Sequence, residues 1–178
     1  MVIEFSGLIL LGITFIYLGI STIYKYIKKI SINYKSEILN LFLFLSVLFI
    51  ISLTLFPIKL DYKFEGFEIF NIVPFKIILK MLFEYPLEQF IYNVIGNIVL
   101  FIPFGFFIYI KFEKNKTKTL LAVLIMTLGI EIIQGFIPYR FCDIDDIILN
   151  TFGGYMGIII YNTLFLKFNN KLKKIQIT

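Results

Sequence analysis

Five apolar segments constrain most strongly what this chain can fold into. Each is close to the roughly 20 residues that a helix needs to span the hydrocarbon core of a bilayer. Of the 178 residues, 59% are hydrophobic, which is more than a soluble domain of this length can bury. We therefore predict an all-α, polytopic membrane helical bundle that forms a single domain over residues 1–178. The predicted spans are residues 3–24, 38–57, 91–110, 119–138 and 146–166.

Lysine residues are concentrated in alternate loops between these segments. Of the 17 basic residues, 12 follow the first, third and fifth spans. The positive-inside rule places such loops in the cytoplasm, so we predict a multi-pass protein with its N-terminus outside and its C-terminus inside. The first segment lacks a basic start and a small-residue cleavage site, which indicates an uncleaved span. The lysines are Lys25, Lys28, Lys29, Lys35, Lys111, Lys114, Lys116, Lys118, Lys167, Lys171, Lys173 and Lys174.

The net charge and the missing residue types narrow the possible partners and chemistry. A net charge of +5 would suggest nucleic acid in a soluble protein. Here the lysines flank apolar segments, so they indicate topology and contact with anionic membrane lipids instead. The chain has no histidine, and Cys142 is its single cysteine. These absences exclude Ser-His-Asp and Cys-His catalysis, HExxH zinc sites and an intramolecular disulfide.

Residues 75–90 form a short amphipathic pattern between the second and third spans. Charged residues recur at every fourth position from Lys76 to Glu88, with apolar residues between them. The pattern predicts a helix that lies in the outer membrane interface and is broken or kinked near Pro86. The alternative interpretation is a helix that covers the bundle and has no role of its own.

Acidic and amide side chains in the last three spans are concentrated at the ends that are predicted to lie outside. In each span they are three or four positions apart, so they share one helix face. Arg140, the only arginine, lies in the turn between the last two spans, close to three aspartates. Because polar groups in hydrocarbon are costly without partners, we predict that these side chains share one cavity open to the exterior. The predicted ligand-binding residues are Asn93, Asn97, Glu131, Gln134, Arg140, Asp143, Asp146 and Asn150.

Structural roles are the alternative for several of these residues. Amides on spanning helices often only join helices through hydrogen bonds, and Glu131 could form a purely structural ion pair with Arg140. Either Asp143 or Asp145 could cap the fifth spanning helix, because an acidic side chain stabilises a helix N-terminus. The small residues whose spacing predicts close helix packing are Gly153 and Gly157.

An ordered set of short motifs resembles the VanZ family of small bacterial membrane proteins, over about residues 40–165. Membership implies an integral protein of the bacterial cytoplasmic membrane. The family's namesake is associated with low-level resistance to teicoplanin, a lipid-tailed glycopeptide, and the resemblance implies no mechanism. The motifs are N-x-x-P-F at 71–75, N-x-x-G-N through P-x-G at 93–105, E-x-x-Q at 131–134 and R-x-x-D-x-x-D-x-x-x-N-x-x-G-G-x-x-G at 140–157.

Three functions are compatible with this pattern. The first is binding or shielding of a lipid-linked envelope precursor or a lipophilic glycopeptide at the outer leaflet, with the Arg140 fork holding a phosphate or carboxylate. The second is a lipid-modifying enzyme, in which Glu131, Asp143 and Asp146 hold Mg²⁺ or Ca²⁺, or Glu131 acts as a general base. The third is an ion-coupled carrier. This function is disfavoured because the polar residues lie in one half of the membrane and provide no path through it. Of these three functions we predict the first, binding or shielding of a ligand. The sequence pattern does not identify a cofactor.

Overall fold

The protein is a bundle of helices with a few very short strands. The computed structural model describes residues 2–59, 70–137 and 140–175. Five helices in these ranges, all except α3, are long and apolar enough to cross a membrane, as expected for a polytopic bundle. The helices are α1 (Gly7–Lys28), α2 (Tyr34–Leu55), α3 (Lys76–Glu84), α4 (Leu87–Lys111), α5 (Lys116–Gln134) and α6 (Ile144–Ile175). The strands are β1 (Val2–Ile3), β2 (Ile58–Lys59), β3 (Phe70–Asn71) and β4 (Cys142–Asp143).

The spanning helices coincide with the five apolar segments, but polar caps shift their ends. The Asn33 side chain accepts hydrogen bonds from two backbone N–H groups in the first turn of α2. This cap starts the helix at Tyr34, before the apolar segment begins. Asn115 caps α5 in the same way. A helix therefore begins where its first backbone N–H groups find an acceptor. Hydrophobicity determines only which part of the helix lies in lipid.

The amphipathic helix α3 is shorter than the sequence predicts. It ends at Glu84, and residues 87–90 are the first turn of the spanning helix α4, so the predicted range of 75–90 is wrong in that part. Pro86 causes the break because proline disfavours the helical conformation in the residue before it. Tyr85 is accordingly extended, with φ −118° and ψ 157°. The break predicted near Pro86 is confirmed.

Helices α4 and α6 pack at the centre of the bundle through glycines. A Cβ atom on Gly153 would overlap the carbonyl oxygen of Ile98, and one on Gly157 would overlap backbone atoms of α4. Gly105 of α4 meets the backbone of Gly154 in the same manner. The two backbones therefore approach as closely as small-xxx-small packing allows. This confirms the helix-packing role predicted for Gly153 and Gly157.

An apolar core joins the inner helices, whereas α1 lies at the edge. Ile50 of α2, Phe101 of α4 and Val123 of α5 are fully buried. No residue of α1 is buried. The Tyr17 ring of α1 stacks on the Phe44 ring of α2 with their centroids 4.0 Å apart, a pairing that holds the outer helix against the bundle.

Two strand pairs lie where the connections meet at one end of the bundle. Strands β1 and β2 are antiparallel. Strands β3 and β4 are parallel, so that Asn71 lies opposite Asp143. Because β4 leads directly into α6, this pairing brings the segment before α3 to the first turn of α6. The predicted polar residues lie at this end.

Candidate functional site

A cavity of about 450 Å³ lies at this end of the bundle. Its walls come from α3, the first turns of α4 and α6, the end of α5 and the β3–β4 pair. The volume is in the range of small-molecule sites. Five of the eight predicted ligand-binding residues line this cavity. They are Asn93, Gln134, Arg140, Asp143 and Asp146.

Asp143 connects the strand pair to α6. Its Oδ1 atom accepts hydrogen bonds from Nδ2 of Asn71 at 2.7 Å and from the backbone N–H of Asp145 at 2.9 Å. The second bond caps α6, so Asp143 is the helix cap that the sequence left open between two aspartates. Burial raises the pKa of Asp143 above its ordinary value, and the charge of Asp145 acts in the same direction. The two hydrogen bonds oppose this shift because they favour the ionised form.

Asp145 fastens α3 to α6. Its carboxylate accepts hydrogen bonds from the backbone N–H groups of Phe75, Ile77 and Ile78, the last two at 2.9 and 3.1 Å. These groups belong to the N-terminal turn of α3, which has no cap from the residue that precedes it. Asp145 is only 1% exposed. One buried carboxylate thus satisfies backbone donors that a helix start leaves unpaired and positions a wall of the cavity.

Three predicted residues lie behind the lining: Asn97, Glu131 and Asn150. The Oε2 atom of Glu131 accepts the backbone N–H of Asp143 at 2.7 Å. Nδ2 of Asn97 donates to Oδ1 of Asp146 at 2.6 Å. Asn150 donates to a threonine hydroxyl of α5 at 2.9 Å, deeper in the bundle. The first two contacts therefore hold residues that line the cavity, and the third joins two helices.

Arg140 is held by the end of α2 and not by Glu131. Its Nη2 atom donates to the carbonyl oxygen of Phe56 at 2.8 Å, so the structural Glu131–Arg140 ion pair considered from the sequence is wrong. Gln134 is anchored beside it, through a bond of 2.8 Å from Nε2 to the carbonyl oxygen of Thr54. Both carbonyls lie at a helix C-terminus, where acceptors have no helical partner. Across the described residues, the guanidinium makes no other hydrogen bond, so its remaining donors can serve a ligand.

Three polar residues that line the cavity were not among the predicted ligand-binding residues: Asp145, described above, Lys76 and Asn71. Lys76, at the start of α3, adds a second cation to the cavity lining that contains Arg140. Asn71 pairs with Asp143, 72 positions away. The N-x-x-P-F motif at 71–75 was a signal for Asn71. The Oδ1 atom of Asn71 accepts the backbone N–H of Val73 at 3.3 Å, which forms an Asx turn. Because its partner Asp143 is so distant in the sequence, the residues around Asn71 do not indicate that the two side chains pair.

The lining combines charged groups with an apolar wall. Arg140 and Lys76 supply cationic donors, and Asp143 and Asp146 supply carboxylates, while Ile77, Ile78, Met81 and Leu149 contribute apolar surface. Among the described residues, no three acidic or thiol side chains are grouped so as to hold a metal ion. Such a cavity can hold the polar part of an amphiphile by hydrogen bonds and ion pairing and place its apolar part against α3.

Comparisons with known proteins identify the family. The sequence model of the VanZ/LLP1 family matches residues 39–166, which include α4, α5, the first turns of α6 and the whole cavity. Protein VanZ of Enterococcus faecium is 35% identical over 80 residues, which cover 44% of this chain and 50% of that protein. The match thus spans half the length of this curated relative, and no solved structure matches. Because the family match covers most of the sequence, this membrane protein belongs to the VanZ/LLP1 family.

Proposed function

We propose that the cavity binds the polar head of a lipid-linked or lipophilic ligand at the outer leaflet of the bacterial cytoplasmic membrane. The observation that carries this proposal is the state of Arg140. Its guanidinium lines the cavity, is fixed by a single bond to the Phe56 carbonyl, and keeps the donors that recognise a phosphate or a carboxylate. A phosphate or a carboxylate of the ligand is therefore the group that Arg140 would hold.

The position of α3 supports an amphiphilic ligand. One side of the helix lines the cavity with Ile77, Ile78 and Met81. Leu82 and Phe83 are 47% and 79% exposed on its other surfaces, as expected for a helix that lies in a membrane interface. An acyl tail could leave the cavity beside this helix without entering water.

The outward orientation of the cavity is part of the proposal. Lysines flank the opposite ends of the same helices: Lys111 at the end of α4, and Lys116 and Lys118 at the start of α5. The positive-inside rule supports a cytoplasmic position for that end. The cavity end would then face the cell exterior, where envelope precursors and glycopeptides are found.

Family membership suggests one biological role for such binding. We propose that this chain contributes to protection against teicoplanin by occupying or shielding either the lipophilic glycopeptide or its lipid-linked target. The association with teicoplanin belongs to the family's namesake. For this chain the role depends on Arg140 and is open to direct test.

We expect Arg140→Ala to abolish any teicoplanin protection without lowering the amount of protein in the membrane. Arg140→Lys should fail as well, because one ammonium group cannot reproduce the planar, bidentate fork. The measurement is the teicoplanin concentration that inhibits growth of a susceptible host expressing each variant, with membrane abundance determined by immunoblotting.

Lys118→Ala is the matched control, because it removes an exposed cation from the opposite end of the bundle. It should retain full protection. Unchanged protection in the Arg140→Ala strain would contradict the proposed function.

The orientation can be tested through Cys142, which lies in β4 and is partly buried. Burial raises the pKa of its thiol, and the negative charges of Glu131 and Asp143 raise it further. Since the thiolate is the reactive form, labelling by a membrane-impermeant maleimide should be slow near neutral pH. The labelling rate of Cys142 should still increase with pH in the alkaline range where the labelling rate of an ordinary cysteine no longer changes.

In intact cells this labelling is expected without lysis. Cys142→Ser supplies the background because the sequence contains no other cysteine. If Cys142 is labelled only after the cells are lysed, the orientation is opposite to the one proposed.

A further inference from the structure

Gln134 has a buried acceptor, its Oε1 atom, that no group of the described residues satisfies. The side chain is 7% exposed, and its Nε2 atom donates to the carbonyl oxygen of Thr54 at 2.8 Å. This bond fixes the orientation of the amide, because the reversed amide would place two oxygen atoms against each other. The Oε1 atom is buried and has no hydrogen-bond partner among the described residues. Other atoms of Gln134 line the cavity, so a ligand group that reaches Oε1 must displace part of this lining.

An unpaired buried acceptor costs free energy unless a donor reaches it. Most buried polar side-chain atoms in folded proteins have a partner, so an exception beside a cavity points to a ligand group. The group that satisfies Oε1 must carry an O–H or N–H, because the amide oxygen accepts only.

The C-terminal end of α2 holds both Gln134 and Arg140 through hydrogen bonds. Gln134 binds the carbonyl of Thr54, Arg140 binds the carbonyl of Phe56, and both side chains line the same cavity. The two carbonyl groups that hold the hydrogen-bond acceptor and the anion-binding fork are thus two residues apart in the chain. A ligand that fills both carries a donor beside its anionic group.

We propose that this site selects head groups in which a hydroxyl lies next to a phosphodiester, and that Gln134 is the residue that reads the hydroxyl. The inference rests on the proposed function and names its ligand class. A neutral hydroxyl suits a neutral amide oxygen. A cationic donor would instead be drawn to the carboxylates of Asp143 and Asp146 in the same lining.

The test compares two lipids of equal charge and identical acyl chains. Phosphatidylglycerol carries hydroxyls beside its phosphodiester, and phosphatidylpropanol lacks them. Native mass spectrometry of the purified full-length protein in detergent measures the binding of each. We expect phosphatidylglycerol to bind about three- to tenfold more tightly, the range that one neutral hydrogen bond gives.

The variant Gln134→Met keeps the size of the side chain and removes both the Oε1 acceptor and the Nε2 donor to Thr54; phosphatidylpropanol binding controls for the lost Thr54 bond. The variant should reduce phosphatidylglycerol binding to the level of phosphatidylpropanol and leave the latter unchanged. Thr163→Val is the matched control, because its hydroxyl only bonds its own helix at Ile159, far from the cavity. That variant should keep the preference. A preference retained in Gln134→Met overturns the inference.

Equal binding of both lipids by the unmodified protein also overturns it, and this comparison needs no variant. The variant Arg140→Ala tests the proposed function separately from this inference. It should weaken the binding of both lipids to the same extent. If Arg140→Ala weakens neither, the proposed function itself fails. Glycerol 3-phosphate in solution should not compete, and competition at equal concentration would overturn the assignment to a lipid.

Discussion

Leucine in place of Gly157 is expected to prevent the bundle from assembling. A Cβ atom at this position would already overlap the carbonyl oxygen of Ile102 and the amide nitrogen of Phe106. Both belong to the backbone of α4, which cannot move aside as a flexible side chain can. Overpacking in a core costs about 1–3 kcal/mol when neighbouring side chains give way. Here we expect more than about 3 kcal/mol, because the main contact between α4 and α6 must separate.

The measurement is the size-exclusion profile of the detergent-solubilised protein after heating, together with its abundance in membranes. Gly129→Leu is the matched control, since it lies in the spanning helix α5 and a Cβ atom there meets no atom within 4 Å. It should keep the unmodified profile. A Gly157→Leu protein that melts like the control would show that the close approach of α4 and α6 is not required.

The architecture could be predicted from the sequence because lipid imposes a simple rule on it. Backbone groups in hydrocarbon must pair within their own segment, so an apolar segment of about 20 residues becomes a helix whatever surrounds it. The same physics predicted the packing role of Gly153 and Gly157, since only small residues permit close contact. Helix ends were less predictable, because caps such as Asn33 and Asn115 lie outside the apolar segments.

The partners within the site could not be predicted in the same way. Arg140 and Glu131 are close in sequence and opposite in charge, which favoured an ion pair. In the structure Arg140 instead donates to the carbonyl of Phe56, the residue after α2, and Glu131 accepts the backbone N–H of Asp143 in β4. Each partner is a backbone group at the end of an element, and such groups carry no signal in side-chain sequence. Their positions depend on how the ends of separate helices meet, which only the assembled bundle determines.

Asp145→Ala is expected to release α3 from the cavity while the spanning helices stay assembled. The substitution removes the acceptor for three backbone N–H groups, those of Phe75, Ile77 and Ile78. Hydrogen bonds to a charged group contribute about 1.5–3 kcal/mol each. Because the freed N–H groups at the start of α3 can bond to water instead, we expect a net loss of about 3 kcal/mol. Amide hydrogen exchange in the peptide covering 75–84 should then accelerate by about 100-fold. Mass spectrometry of the exchanged protein in detergent measures this directly.

Asp145→Asn separates charge from geometry. It keeps one oxygen acceptor but directs an amide donor at a backbone donor, so we expect partial acceleration of exchange. Glu84→Ala serves as the control, because it removes an exposed acidic residue from the other end of α3 and should leave exchange unchanged. Since α3 forms one wall of the cavity, Asp145→Ala should also weaken lipid binding. Protected α3 amides in the Asp145→Ala protein would mean that packing of Ile77 and Ile78, and not the carboxylate, holds this helix in place.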